Sequence, residues 1–375
     1  MRSVARDSHV SLNTVQYWVR RAGTKRLDRV DFSDHRPGPR MGANRTSQQT
    51  EDLVLEIRRE LKENSPLGEF GATAIHRELV ASQQNPVPSV RTIGRILERR
   101  GALDGKYRIR RPAPPLGWYL PDVADGQAEL DSFDFIEDLL LEGGPLCDIL
   151  TAISLHGALA SAWPFPGTPR ASWTLERILQ RWTQIGLPTY AQFDNHTRFQ
   201  GPHQYPDAIG RIIRACLQLG VIPVFVPPGE TGFQASIESF NGRWQQSVWK
   251  RFHFESFESL VCQSRQFITA HRKKNSRRIS QAPDRHPFPE TWQFRLRAPV
   301  SGRIVYLRRT NEHGYVKVLG HTFLADTTWP HRLVRCEVLL DRDCIQFFAL
   351  RRRQPSFQPL LNHVAYHFPN KPPSR

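Results

Sequence analysis

The chain has 375 residues, 39% hydrophobic and 23% charged, which predicts roughly two to four domains that each bury a core. It holds no run of about 18 uncharged apolar residues, which excludes a membrane-spanning helix. Its first residues carry no apolar signal core, and its five scattered cysteines form no CxxC pair. Reduced thiols in the cytoplasm are the expectation, with no disulfide frame and no zinc site.

The formal charge is +16, unevenly spread: net +9 over residues 1–115, −7 over 116–264 and +14 over 265–375. Basic flanks around an acidic centre predict a polyanion partner, with carboxylates gathered in the middle for another purpose. A generally basic protein with solvated charged faces is the plain alternative.

In chain order, residues 1–25 read as two short helices around a turn, with Ala5, His9 and Val15 where a helix-turn-helix wants a small residue, a turn and a β-branched residue. Ser11 is the expected N-cap, and Val15, Trp18 and Val19 form an apolar stripe. Asn13, Thr14, Gln16 and Tyr17 would then face bases or phosphates. The chain is expected to begin inside the first helix, with an earlier packing helix missing. Residues 26–48 are rich in Pro, Gly, Arg and Asp and read as a linker. A second helix-turn-helix unit is predicted over 49–105, with Leu53, Ile57 and Leu61 at helical spacing and a basic third helix. Ser89, Arg91, Thr92 and Arg95 open that helix and are its expected DNA readers, with Arg99 and Arg100 further along. Residues 106–128 read as a Pro-rich linker.

From 129 to 280 the pattern changes to three strands, then alternating helices and strands, which predicts a mixed sheet with helices on its faces. Residues 295–353 hold short strands with turn signals and read as a small β-barrel or sandwich, followed by a tail over 354–375. Three acids stand out. Asp134 lies mid-strand, where Asp is disfavoured; Asp194 ends a strand; Glu238 lies early on a helix. Gathered together they would need divalent cations to offset their repulsion, and two such ions could activate an attacking oxygen on a phosphodiester.

These residues carry a resemblance. LDSFDFI, the FDN at 193–195 and IESFNGRW at 237–244 resemble the Asp, Asp, Glu signature of the DDE transposase and integrase family within the retroviral-integrase superfamily. The resemblance implies a multidomain chain: N-terminal all-α helix-turn-helix units, a central α/β ribonuclease-H-like catalytic core, and a small C-terminal β-barrel. It implies Asp134, Asp194 and Glu238 as catalytic and metal-binding, with Asn195 and Asn241 supporting them. Two Mg²⁺ (or Mn²⁺) ions per site are implied, with no protein nucleophile. Arg243, Lys250 and Arg251 would contact DNA.

Some positions depart from the family. Asp194 and Glu238 are 44 positions apart, longer than usual, and residues 200–206 account for part of the excess. Gln245 stands where Lys or Arg is common, a role open to Arg243 or Lys250, and His196 stands where Gly is usual. Asp131 competes with Asp134 for the first role, but three positions apart on a strand they face opposite sides. Asp134 is preferred because the following run and the Gly143–Gly144 turn suit the family's spacing. The expected function is binding of element ends, then metal-dependent DNA cleavage and strand transfer by water and a 3′-hydroxyl. The expected partners are double-stranded DNA (element terminal repeats and target DNA) and further copies of the chain on it, in the bacterial cytoplasm at the nucleoid. The alternative is a non-catalytic DNA-binding protein, either a decayed transposase or a regulator.

Overall fold

The structure is a computed structural model and describes residues 1–33, 46–103, 115–142, 144–202, 205–352 and 354–369. Gly143, half of the expected glycine turn, and most of the basic part of the 106–128 segment lie outside the described residues. No helix among the described residues is long and apolar enough to cross a membrane. The chain divides into two compact units, 1–53 and 54–375.

In the first unit α1 spans Arg2–Asp7 and α2 spans Leu12–Ala22. The Ser11 side chain accepts a hydrogen bond from the Thr14 amide, which satisfies one of the free donors of the first turn. Residues after α2 fold back on it: Trp18 meets Phe32 with ring centroids 5.8 Å apart, and Arg21 donates to the Ser33 carbonyl at 2.7 Å. The segment from 26 is therefore not a free linker as far as Ser33. Residues 34–45 lie outside the described ones.

Helix α3 (Gln48–Asn64) leads into the second unit, where α4 (Ala72–Ala81) and α5 (Val90–Arg99) follow. Val54, Ile57, Ile75, Leu79, Ile93, Ile96 and Leu97 are buried, as helical spacing requires of one apolar face per helix. Arg58 donates to the carbonyls of Phe70 and Ala102, both at 2.8 Å, and so ties α3 to the break before α4 and to the chain just past α5. This helical part belongs to the same compact unit as the sheet. Ser247 donates to the Leu67 carbonyl at 2.8 Å, and Glu69 pairs with Lys274.

The short α6 (Pro121–Ala124) precedes β1 (Leu130–Leu140), β2 (Leu146–Ser154) and β3 (Ala160–Pro166). Then come α7 (Ala171–Ile185), β4 (Tyr190–Phe193), α8 (Thr197–Gln200), α9 (Arg211–Gln218) and β5 (Ile222–Phe225). Helix α10 (Ala235–Trp244) runs through a π-turn (Gln245–Trp249), and α11 (Phe257–Lys274) and α12 (Ser276–Ser280) close the helical layer. Strands β6 (Arg303–Arg309), β7 (Tyr315–Val318), β8 (His321–Leu324), β9 (Leu333–Leu339), β10 (Cys344–Ala349) and β11 (Leu360–Ala365) finish the chain.

Among the described residues nine strands form one mixed sheet in the order β11-β10-β9-β6-β5-β4-β1-β2-β3. β1, β2 and β3 are antiparallel, and β4 and β5 run parallel to β1. Strand alternation splits the core between two faces. Phe133, Leu150, Ala191 and Phe193 pack with Ile178 and Trp182 of α7 and Ile213 of α9. Ile136, Ile149 and Ile153 pack on the other face with Ile237, Phe240 and Trp244 of α10 and Leu260 and Phe267 of α11.

Two expectations are corrected. The C-terminal strands do not close a separate barrel: β6 adds to β5 in parallel (Val224 beside Val305, Phe225 beside Tyr306), and β9, β10 and β11 extend the sheet antiparallel. β11 lies in what was read as tail. The physical reason is the free edge of β5, which β6 covers, with Phe225 stacked on Tyr306 at 5.3 Å. Residues 115–128 are likewise no linker. Trp118, Tyr119, Leu120 and Val123 are buried, and Arg335 and Gln358 donate to the carbonyls of Tyr119 and Trp118, each at 2.8 Å.

A chain ending at residue 300 should therefore lose its cooperative unfolding transition, because the β5 edge and the core side chains Ile304, Tyr306 and Val334 go with the deleted strands. Retention of a sharp thermal transition by circular dichroism would mean that the C-terminal strands are an independent module after all.

Candidate active site

Strand β1 pairs with β4 through Leu130–Tyr190, Asp131–Ala191 and Ser132–Gln192. Continued two residues, this register sets Asp134 beside Asp194, one step past the end of β4, on neighbouring strands roughly 4.8 Å apart. Phe133 and Phe193 stack between them at 5.4 Å on the opposite face. On Asp134's face, α10 lays Asn241 across the strand. The Asn241 amide donates to Asp134 Oδ2 at 2.8 Å, and the Thr151 hydroxyl donates to Asn241 Oδ1 at 2.8 Å. Glu238 lies one turn before Asn241, on the same side of the helix and in its first turn, where the helix dipole favours a carboxylate.

Electrostatics registers this convergence. Burial pushes the Asp134 carboxyl from its ordinary 3.8 up to about 7, and the charges of Asp194, Glu238 and Glu137 push in the same direction. Burial also raises Asp194, against the His196 backbone amide and the charges of His196 and Arg198. His196 donates its amide to Asp194 Oδ1 at 3.0 Å. Arg198 donates to Glu137 at 2.5 Å and to Asp148 at 3.1 Å, and lies over the Phe135 ring. The chemistry of the donors, hard carboxylate oxygens with surplus negative charge, fits a divalent cation. As folded, no three His, Cys, Asp or Glu side chains among the described residues are gathered closely enough to hold one.

Asp131 is different. It has no exposed surface and accepts from Arg181 Nε at 3.1 Å, Trp182 Nε1 at 3.2 Å, Ser154 Oγ at 2.9 Å and Arg285 at 2.5 and 3.2 Å. Its carboxyl is held well below the usual range by Arg181 and Arg285, against burial. It points at α7, away from Asp134, and its oxygens are fully engaged.

The other expected residues are placed differently. Asn13 and Gln16 on α2, Arg91 and Arg95 on α5, and Arg243 and Lys250 are exposed. Thr14 and Thr92 are drawn into helix starts, where their amides bond Ser11 and Ser89. Asn195 is a strut rather than a neighbour of the acids: it donates to the Val226 carbonyl at 2.7 Å and accepts from Arg308 at 3.1 Å. Arg251 bonds the carbonyls of Glu63 and Ser65 at the end of α3. A cation near a helix C-terminus satisfies free carbonyls and the dipole. Sequence reasoning missed Arg198, Glu137, Asp148 and Thr151. Arg198 was within reach, four residues past Asp194, while Thr151 is placed only by strand register.

No family model matches the chain, and no curated protein matches it. Among solved structures it is similar to a chain in the simian T-cell lymphotropic virus intasome complex with PP2A regulatory subunit B56 gamma, at 12% identity over 70% of this chain and 91% of that chain, with a TM-score of 0.34. It is similar to the catalytic core domain of BIV integrase at 17% identity over 38% of this chain and 81% of that one, with a TM-score of 0.29. It is also similar to the HTLV-2 integrase catalytic core domain in complex with magnesium, at 10% identity over 41% and 86%, with a TM-score of 0.27.

The two acids three residues apart predict opposite responses to one chemical change. Asp131→Asn should destabilise by about 3–5 kcal/mol, because it leaves two arginines without their counter-charge. Asp134→Asn should raise the unfolding temperature at about pH 8 without divalent cations, since the native charge there is disfavoured. The sign follows from linkage: a folded-state pKa raised from 3.8 to about 7 gives stability present at low pH and lost as pH rises through that window. The gain in Asp134→Asn should fade as pH falls toward about 4. Denaturant titrations across pH check both, and a fall in stability for Asp134→Asn at the higher pH would contradict the crowding of carboxylates.

Proposed function

We propose that the chain is a DNA transposase or integrase that binds element ends and cuts and joins DNA by metal-dependent attack on phosphodiesters, first by water and then by a freed 3′-hydroxyl. The observation that carries this reading is the coupling of Asp134 to Asp194 and Glu238, acids drawn from two neighbouring strand ends and a helix start. Their order along the chain is the order the resemblance implies. Asp134, Asp194 and Glu238 would hold two Mg²⁺ or Mn²⁺ ions, which when bound supply Lewis acidity at the phosphodiester.

The chain's own residues do the positioning. Asn241 fixes the Asp134 carboxylate, and Thr151 fixes Asn241. Arg198 binds Glu137 and Asp148, so these neighbouring acids are already engaged by a cation. Glu238 is exposed on the first turn of α10, one turn before Asn241. The helices of 1–25 and 49–105 are the proposed readers of element ends, with Arg91 and Arg95 on phosphates and Asn13 and Gln16 at the groove. The working form is a homo-oligomer on double-stranded DNA, at the bacterial nucleoid.

One observation favours a second reading, a non-catalytic DNA-binding protein: no three acids among the described residues stand ready-made for a metal. DNA flanking the reading frame, labelled and incubated with the protein and Mg²⁺ or Mn²⁺, separates the two. Cutting and joining by the wild type should fall at least about a thousandfold in Asp194→Asn and in Glu238→Gln, with DNA affinity unchanged. DNA binding without any cutting by the wild type would establish the second reading. On either reading affinity should fall steeply with salt, the slope counting displaced counterions. A salt-independent affinity in a gel-shift titration would contradict phosphate binding by the basic residues.

A further inference from the structure

The long connection between β4 and α10 helps to build a feature that the catalytic groups leave unused. A cavity of about 980 Å³ is lined by α8, by the starts of α7 and α9, and by Leu296 and Arg297. Gly201 (φ +85°) and Gly210 set its shape, since a Cβ on Gly201 would stand 2.5 Å from Gly210 Cα. Gly210 is the N-cap of α9.

Arg214 lines the cavity with only 6% of its surface exposed, and among the described residues its Nε has no hydrogen-bond partner. Its NH1 reaches the Ala298 carbonyl at a long 3.5 Å. Burial lowers its pKa, with no acid among the described residues acting in opposition. A buried cation without a counter-ion is strongly disfavoured unless an anion joins it. Helices α7 and α9 both begin at this cavity, and their N-caps, Arg170 and Gly210, contribute no side-chain cap. Uncapped amides and helix dipoles add a fixed positive potential. Arg211 and Arg297 are exposed at the rim. The carboxylate in the lining, Asp207, is occupied by His321 Nε2 at 2.9 Å and by the Tyr366 hydroxyl. At one end stands Arg198, whose other contacts are the acids beside Asp194.

We infer that this groove is a phosphodiester track that holds the DNA strand on one side of the bond being cut, with Arg214 at its floor and Arg211 and Arg297 at its rim. The inference rests on the phosphoryl-transfer reading above and extends it to the path of the strand. At about 980 Å³ it is far larger than a single phosphate needs, so consecutive phosphates suit it better than one small anion.

The test uses the full chain and fluorescence anisotropy with labelled duplex DNA across a salt series. Arg211→Gln with Arg297→Gln should weaken binding about tenfold and lower the salt slope by about two. Lys317→Gln with Arg342→Gln removes the same charge from exposed residues that do not line the groove, and should change binding far less. Arg214→Met should weaken DNA binding while the unfolding temperature holds or rises, because an uncompensated buried charge is removed. Equal losses in the two double variants, or a lower unfolding temperature with unchanged affinity in Arg214→Met, would overturn the inference. Calorimetry with inorganic phosphate gives a further arm: Arg214-dependent phosphate binding with unaltered DNA affinity would mark a small-anion site and overturn it too. Normal cutting with groove variants that bind like wild type sinks the track and leaves the enzyme reading intact. No cutting by any form, with DNA lost in the groove variants, sinks the enzyme reading and leaves the track.

Discussion

Asp131 accepts hydrogen bonds from Arg181, Trp182, Ser154 and Arg285 with no surface open to water. Two of these partners are on α7, one is on β2, and Arg285 lies beyond α12, so one carboxylate joins four parts of the chain. Burying three charges together is costly, and the geometry must be nearly complete for their attraction to offset the lost hydration. Here it is complete. Arg181 also bonds Ser161 and the Leu159 carbonyl, and Arg285 also bonds the Gly186 carbonyl. The consequence is a fixed register for β1, since a slip by one residue would place Asp131 against the apolar side chains of the other face.

With that register held, alternation along the strand places Asp134 opposite, under α10. The same residue type thus does two jobs three positions apart. One carboxylate is kept ionised by arginines and serves the fold. The other is buried among carboxylates that disfavour its charge. Asn241 is the hinge between strand and helix in this arrangement, because it bonds Asp134 and Thr151 at once. Its position three residues after Glu238 brings the helix acid to the strand acid without a direct bond between them.

Much of this was legible in the chain because it depends on local pattern. Ser11 caps a helix where cap chemistry predicts, and the acid mid-strand at Asp134 was visible as a residue out of place. What was not legible depends on partners distant in sequence. Short strands with turns between them look alike whether they close on themselves or add to an existing edge, so β6 to β11 read as a barrel although β6 pairs with β5. Trp118 and Tyr119 sit in a Pro-rich, acidic stretch whose composition reads as linker, yet both rings fill the gap beside Phe233. Arg251 was visible as a charge, but the helix end that it bonds was not. Asn195 follows Asp194 directly, but the turn that frees Asp194 points Asn195 to Val226 and Arg308 instead.

Charge shows the same limit at larger scale. Residues 116–264 carry a net −7, which reads as a segment that DNA would avoid. Within it, however, the acids are spent unevenly: Asp131 on Arg181 and Arg285, Asp148 and Glu137 on Arg198, and Asp207 on His321 and Tyr366. Among the described residues, Asp134 has other carboxylates and no cation acting on it, and Arg214 has an unbonded Nε beside uncapped helix starts. A site that must bring carboxylates up to a polyanion faces repulsion over a Debye length of about 8 Å at physiological salt. Cations can offset it at the reacting bond, but the flanking phosphates need positive charge of their own. On the proposed reading a basic groove that includes Arg198 would answer that need, and the segment's net charge conceals it because opposite signs a few residues apart cancel in a sum but not in space.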